Sequence, residues 1–226
     1  MAAKKKASGP GDVIVISAPS TKEVRVPIIG TSNYVSNAFS QEAKNIMEND
    51  MARGDVDKAR GSAKKRPPKD FDAQYEGSLH RSTEGWYGIP VIAFRAAMVR
   101  AASLCGVEMT RAKMCVFVLA DGNTPDGVGL VRITRGEPEQ FRMAVRNNGG
   151  GTDIRARGRF APGWEATVRI LFDEEFLSAQ SVVNLLARAG VSVGVGAGRP
   201  FSTMSVGQGW GTFSVPVGTH EVQAAE

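Results

Sequence analysis

The chain has little of what most active sites are built from. It holds only two histidines, His80 and His220, among 226 residues. His80 adjoins Arg81 and His220 lies in a polar stretch, and an isolated histidine is by default structural or incidental. The two cysteines, Cys105 and Cys115, sit in apolar sequence with no cysteine or histidine at metal-ligand spacing. That excludes a zinc site and points to reduced thiols in a cytoplasmic compartment. No apolar run approaches the length of a membrane span. The run Val13 to Ile16, after the basic Met1 to Lys6, is too short for a signal-peptide core. Aromatic residues make up 7% of the chain, which excludes a dense base-stacking platform. There is no internal repeat and no heptad array.

Glycine, by contrast, is plentiful, and it clusters near the end. Gly194-Val195-Gly196-Ala197-Gly198-Arg199-Pro200 is followed by Gly207-Gln208-Gly209-Trp210-Gly211. Such a cluster marks a backbone that turns sharply or lies close to something. It lacks the third glycine of the dinucleotide fingerprint and follows a helix instead of opening one. It also lacks the Gly-Lys-Ser/Thr of a phosphate-binding P-loop. Two readings remain: backbone N–H groups that hold a phosphate, or a turn with no ligand.

The net charge is +5, and its distribution is more telling than its size. Lys58, Arg60, Lys64, Lys65, Arg66 and Lys69 crowd one segment. Arg155, Arg157 and Arg159 alternate, so one face of an extended segment carries all three. Arg95, Arg100, Arg111 and Lys113 bracket a third region. Phosphates attract such groups through Coulomb forces and counterion release. The competing readings are a solvated loop for the first group and a charged, protected strand edge for the second.

Along the chain, Val13–Ile16 and Val24–Ile29 read as strands, with Pro27 placing the second at an edge or an interruption. Residues 39–51 read as a helix capped by Ser40. Residues 52–81 turn polar and read as a long basic loop or insertion. Val91–Leu104 reads as a helix with Pro90 at its start, Gly106 after its end, and Ile92, Ala96, Val99 and Ser103 on its inner face. Met114–Leu119 is a continuous apolar run expected to be a central strand. Val128–Thr134 and Phe141–Val145 are further strands, and residues 147–151 an open loop. Trp164, Ala166, Val168, Ile170 and Phe172 alternate onto one strand face. Ser178–Ala189 is a helix with Val182, Leu185, Leu186 and Ala189 inward, ended by Gly190. The run 212–217 closes the fold.

This order predicts an α+β chain with a ferredoxin-like, RNA-recognition-motif-like core, β-rich insertions and a long basic loop. Residues 1–12 are expected as a flexible basic tail, 13–217 as one domain with its insertion at about 52–81, and 218–226 as a C-terminal tail.

Two segments together carry a resemblance. Gly88-Ile89-Pro90-Val91-Ile92-Ala93-Phe94-Arg95-Ala96-Ala97-Met98-Val99-Arg100 resembles the Ile-Pro-x-x-x-Lys/Arg-x-x-x-Arg helix entry of the RAMP superfamily, the repeat-associated proteins that form the backbone of CRISPR effector complexes. Residues 194–215 resemble that superfamily's C-terminal glycine-rich loop and last strand. Phage and prophage proteins carry the same pair, and the chain looks closer to that group. Arg95 stands where lysine is common, the glycine loop is split by residues 200–206, and no catalytic aspartate or histidine can be matched.

The resemblance implies single-stranded RNA or DNA as ligand and head-to-tail oligomers, helical or ring-shaped, that track the strand. No cofactor, metal or membrane partner is expected, and the location is a bacterial host cytoplasm if the chain is phage-encoded. The candidate contacts are Lys58, Arg60, Lys64, Lys65, Arg66, Lys69, Arg95, Arg100, Arg155, Arg157, Arg159, Gly194, Gly196, Gly198, Arg199 and Trp210. Tyr34, Phe39, Trp86 and Tyr87 join Trp210 as candidates for stacking on bases, while Trp164, Phe94 and Phe213 read as core. The leading expectation is a non-catalytic nucleic-acid-binding protein. The alternatives are a phage assembly protein that oligomerises without nucleic acid, and a metal-dependent ribonuclease built on acids such as Asp55 or Asp57.

Overall fold

The computed structural model describes residues 18–53, 68–146, 151–202, 207–216, 218 and 221–224. Val13–Ile16, residues 147–150, His220 and the basic residues 58–66 lie outside them. The chain is α+β, as expected, and its centre is one strand. Trp164 to Phe172 buries every second residue, so β9 (Glu165–Asp173) has one face in the core. Along one edge β9 pairs antiparallel with β1 (Thr21–Gly30) over nearly its whole length. Its other edge is shared by β4 (Val116–Leu119) and β6 (Gly129–Arg135). The far edge of β1 takes two short strands, β11 (Glu221–Ala224) and β10 (Phe213–Ser214). β11 falls in the stretch expected to be a C-terminal tail.

Pro27 explains the gap between those two strands. Gly30 donates its N–H to Trp164 on the β9 side. By alternation the odd-numbered residues of β1 face the other edge, where proline has no proton to offer. Pairing there resumes only at Ile29.

Two helices cover the buried face of the sheet. α3 (Val91–Ala102) presents Phe94, Ala97, Met98, Val99, Ala101 and Ala102 to the core. Of the inner face expected for it only Val99 is buried; Ile92, Ala96 and Ser103 are exposed. The helix passes through a short 3₁₀ turn to Gly106, whose left-handed φ of 71° closes it. α5 (Ala179–Ser192) begins at Ser178, whose hydroxyl accepts the Ser181 N–H, and buries Val182, Leu185, Leu186 and Ala189. Gly190 does not end it. A Cβ there would stand 2.3 Å from the Phe213 carbonyl, so this glycine lets β10 pass against the helix.

The order β1-α3-β4-β9-α5-β10, with strands placed β10-β1-β9-β4 and all antiparallel, is the ferredoxin-like arrangement. β4 is nevertheless not central. Met114 and Cys115 end α4 (Met109–Cys115), and the strand starts at Val116 with β9 as its partner. β3 (Gly88–Pro90) and β5 (Gly122–Asn123) extend the sheet beyond β6.

A second sheet joins β2 (Tyr34–Val35), β8 (Thr152–Phe160) and β7 (Pro138–Arg146). Its hinge to the core is aromatic: Tyr34 packs on Phe160 and Trp164, and Trp164 and Phe94 both pack on Phe213. In sequence, α1 (Gln41–Arg53), preceded by Ser40, and α2 (Phe71–Ser78) come between β2 and β3. α2 corrects the expected loop over 52–81. Asp70 caps it by accepting from the Asp72 and Ala73 N–H groups. It also covers the free edge of β8: Gly158 donates to Ser78 Oγ and Ala156 to Gln74 Oε1. No helix among the described residues is long and apolar enough to cross a membrane.

Candidate nucleic-acid interface

The buried stripe of α3 leaves its other side beside the glycine segment, and a groove of about 580 Å³ runs between them. Arg95 and Arg100 reach it from α3, Lys113 from α4, and Arg199 from the glycine segment, with Val99, Val195 and Phe201 also on its walls. Among the described residues no carboxylate lines it. The two resemblance-bearing segments, about a hundred residues apart in sequence, thus form the two walls of one cationic groove.

The four cations are held differently. Arg95 donates from Nε to the Val116 carbonyl at 3.0 Å and from Nη2 to that of Lys113 at 2.6 Å. It fastens the end of α4 to α3, a structural task. Arg100 lies over the Phe201 ring at 4.2 Å, which orients the guanidinium and leaves its edge for a ligand. Arg199 donates to the Gly196 carbonyl at 3.2 Å. Phe201 was not among the expected contacts, since a wall built from separate elements has no local spacing to reveal it, and Lys113 was marked only as part of the basic region it shares with Arg95, Arg100 and Arg111.

The glycine segment itself is a backbone crossing. Val195 N–H donates to Gly211 O at 2.9 Å, Gly211 N–H to Asn33 O at 2.6 Å, and Ala197 N–H to Val35 O at 2.9 Å. Gln208 and Trp210 both donate to Gly198 O. These donors are engaged by the protein, so what passes close to the glycines is the chain's own backbone. Their contribution to the groove is shape.

The alternating arginines lie on β8 as expected, sharing one strand face. Arg159 donates to Glu139 at 2.8 Å and lies 4.9 Å from the Phe141 ring. Phe141 meets Trp210 edge-on at 5.6 Å. Arg155 lies 3.6 Å from Asp153. Lys69 pairs with Asp153 and donates to Ile154 O at 3.0 Å. The structure therefore separates the described candidates into the α3 groove, with Arg95, Arg100, Gly194, Gly196 and Arg199, and the β8 face, with Lys69, Arg155, Arg157 and Arg159. Gly198 and Trp210 connect the two, since a Cβ on Gly198 would meet the indole at 2.5 Å.

Of the stacking candidates, Tyr34 is 1% exposed and belongs to the core, where burial pushes its phenol well above the usual range. Trp86 donates to Glu84 and Tyr87 receives a hydrogen bond from Arg81. Phe39 is exposed. Trp164, Phe94 and Phe213 are core, as expected. Asp55 and Asp57 lie outside the described residues. Asp70 caps α2 and Asp72 accepts from Gln140. Cys115 is buried and Cys105 is exposed, and both are free thiols.

A second groove, of about 630 Å³, meets the first at Ile92, Ala93, Gly196 and Arg199, and His80 lines it. Burial pushes the His80 imidazole down to about 4. Its folded pKa therefore lies below the unfolded value of about 6.5. Stability that is full above that value is lost as the pH falls towards 4, because only the unfolded chain then gains the proton. In NMR titration the His80 ring should hold its neutral shifts down to about pH 5, and His80→Gln should flatten the acid limb of the stability curve. A midpoint near 6.5 would contradict this.

No family model and no curated protein matches the chain. Solved structures do. One is a chain of the type III-B Cmr-beta assembly bound to cognate target RNA, with TM-score 0.55 and 11% identity over 91% of this chain and 62% of that one. The likeness is one of fold. The chain spans about three fifths of the length of that relative. Csc2 of Thermofilum pendens is matched over 92% of this chain and 69% of its own, at 11% identity and TM-score 0.36.

Proposed function

We propose that this protein binds single-stranded nucleic acid, RNA or DNA, and oligomerises along it without catalysing a reaction. The observation that carries the reading is the α3 groove, where four cations from three parts of the chain converge and no carboxylate among the described residues competes. Such a lining suits a polyanion that is tracked by its phosphates more than read by its bases. The β8 arginines and the basic segment at 58–66 extend the same chemistry. The resemblance of the Ile89-Pro90 helix entry and the glycine segment to the RAMP superfamily supports it. So does the fold shared with a chain from an assembly determined with target RNA bound. A place in the phage- or prophage-encoded group of that superfamily belongs to the same proposal.

The test is fluorescence anisotropy with unstructured RNA and DNA oligonucleotides across a salt series. The expected result is a linear fall of log affinity with log salt, and saturation at a fixed number of nucleotides per protomer. Electron microscopy with and without nuclease treatment should show assemblies that shorten on digestion. Absence of binding at low salt would reject the reading. Assemblies indifferent to nuclease would instead favour a protein-only assembly role.

A further inference from the structure

A third pocket, of about 290 Å³, lies between α2 and the arginine-bearing strand β8, away from the α3 groove. Lys69, Arg155 and Arg157 bring three positive charges to it and Asp153 one negative, while Asn37 and Gln74 add amide groups to its wall. Asp153 is already taken: Lys69 donates to it, and its carboxyl is held below the ordinary range chiefly by that hydrogen bond. Arg155 also lies against the same carboxylate. Arg157 is left over. Among the described residues its guanidinium has no hydrogen-bond acceptor and no ion-pair partner, although it is half-buried.

We infer that this pocket is a phosphate-binding site centred on the Arg157 guanidinium. A cation drawn out of water without a counter-charge is costly, and the one carboxylate that the described residues bring to the pocket, Asp153, is engaged by Lys69 and Arg155. Burial, and after it the neighbouring Arg155 charge, hold Arg157 below the ordinary arginine value. A phosphate group suits this lining chemically, since its oxygens can take the guanidinium fork from one side and amide donors from another. A carboxylate would bring less charge to a pocket whose described side chains sum to an excess of positive charge. The phosphate is either a phosphodiester of the bound strand or a separate phosphate, and these are distinguishable.

The experiment compares the wild-type chain with Arg157→Met and Arg157→Lys in phosphate and in chloride at matched ionic strength. Inorganic phosphate should raise the wild-type Tm above its value in chloride. Arg157→Met should abolish that rise while melting no lower than the wild type in chloride, because it removes an uncompensated charge and keeps the aliphatic stem. Arg157→Lys should keep part of the rise. If Arg157→Met does not fold, the wild type still decides: in protein with labelled arginine side chains, one Nε–Hε signal should move saturably with phosphate.

With oligonucleotide as probe, a salt slope smaller by about one in Arg157→Met identifies a strand phosphate. An unchanged slope in Arg157→Met, together with the wild-type rise in phosphate and its loss in that variant, identifies a separate phosphate. The inorganic arm stands even where the oligonucleotide fails to bind. A wild-type Tm indifferent to phosphate, with no moving arginine signal, overturns the assignment. So does a Tm that rises with protein concentration but not with phosphate, since a neighbouring copy then fills the pocket.

Discussion

Gly211→Ala is expected to destabilise the protein by about 2–5 kcal/mol, the sum of a left-handed backbone penalty and the disruption of buried backbone hydrogen bonding. Gly211 has φ of 69°, and a Cβ built on it falls 1.7 Å from the Val195 carbonyl oxygen. Backbone cannot yield as a flexible side chain does, so the two halves of the glycine segment must part. The Val195 N–H then loses the Gly211 carbonyl, and the Gly211 N–H loses Asn33. In a chain of this length that cost corresponds to a Tm lower by on the order of 10 °C. Gly209→Ala is the control. It shares a positive φ, 76°, but its Cβ would meet open space. It should therefore cost only the conformational strain, about 1–2 kcal/mol. Equal losses for the two variants would mean that the crossing does not hold the segment together. Calorimetry on both variants decides it.

That crossing shows where the sequence was legible and where it was not. Signals within one element read well. The alternation of β9, the helix from Ser178 with its inward Val182, Leu185 and Leu186, and the interruption marked by Pro27 each depend on one strand or helix and its own period. Signals with two physical causes read badly. Gly190 looks like a helix stop, but its missing side chain serves the close approach of Phe213. The apolar run 114–119 looks like one central strand, yet a helix end and a strand start can be equally apolar, and the break falls at Val116. In α3 so many positions are small or apolar that two faces fit a helical period. The bulk of Phe94 and Met98 selects the one that packs. α2 was hidden because it is short and polar, though Asp70 was its readable cap.

The candidate site divides in the same way. Its residue types and both walls were visible as motifs, but which arginines are available to a ligand is decided by carbonyls and rings that only the fold brings near. Arg95 was marked by the motif and is engaged by the end of α4. Phe201, which aligns Arg100, had no signal of its own.

The difference between Arg95 and the other groove cations leads to the second large effect. Arg100→Glu with Arg199→Glu should reduce affinity for a single-stranded oligonucleotide by at least about 100-fold at low salt, since each charge-assisted contact is worth about 1.5–3 kcal/mol and repulsion is added to the loss. Neither guanidinium holds the core: Arg100 rests on a ring at the groove wall and Arg199 makes one bond within its own loop. The melting temperature should therefore change little. The milder pair Arg100→Gln and Arg199→Gln should lower the salt slope by about two, one for each phosphate contact removed. Arg95→Gln should show the opposite division. It releases the Val116 and Lys113 carbonyls, so the loss should appear in stability, with a smaller change in the slope. Binding that survives charge reversal at Arg100 and Arg199 with its slope intact would move the strand out of the α3 groove and onto the β8 face. A groove of cations aligned on rings and loop carbonyls, with the one anchoring arginine set apart by its hydrogen bonds, is the arrangement from which affinity can be removed without unfolding the domain.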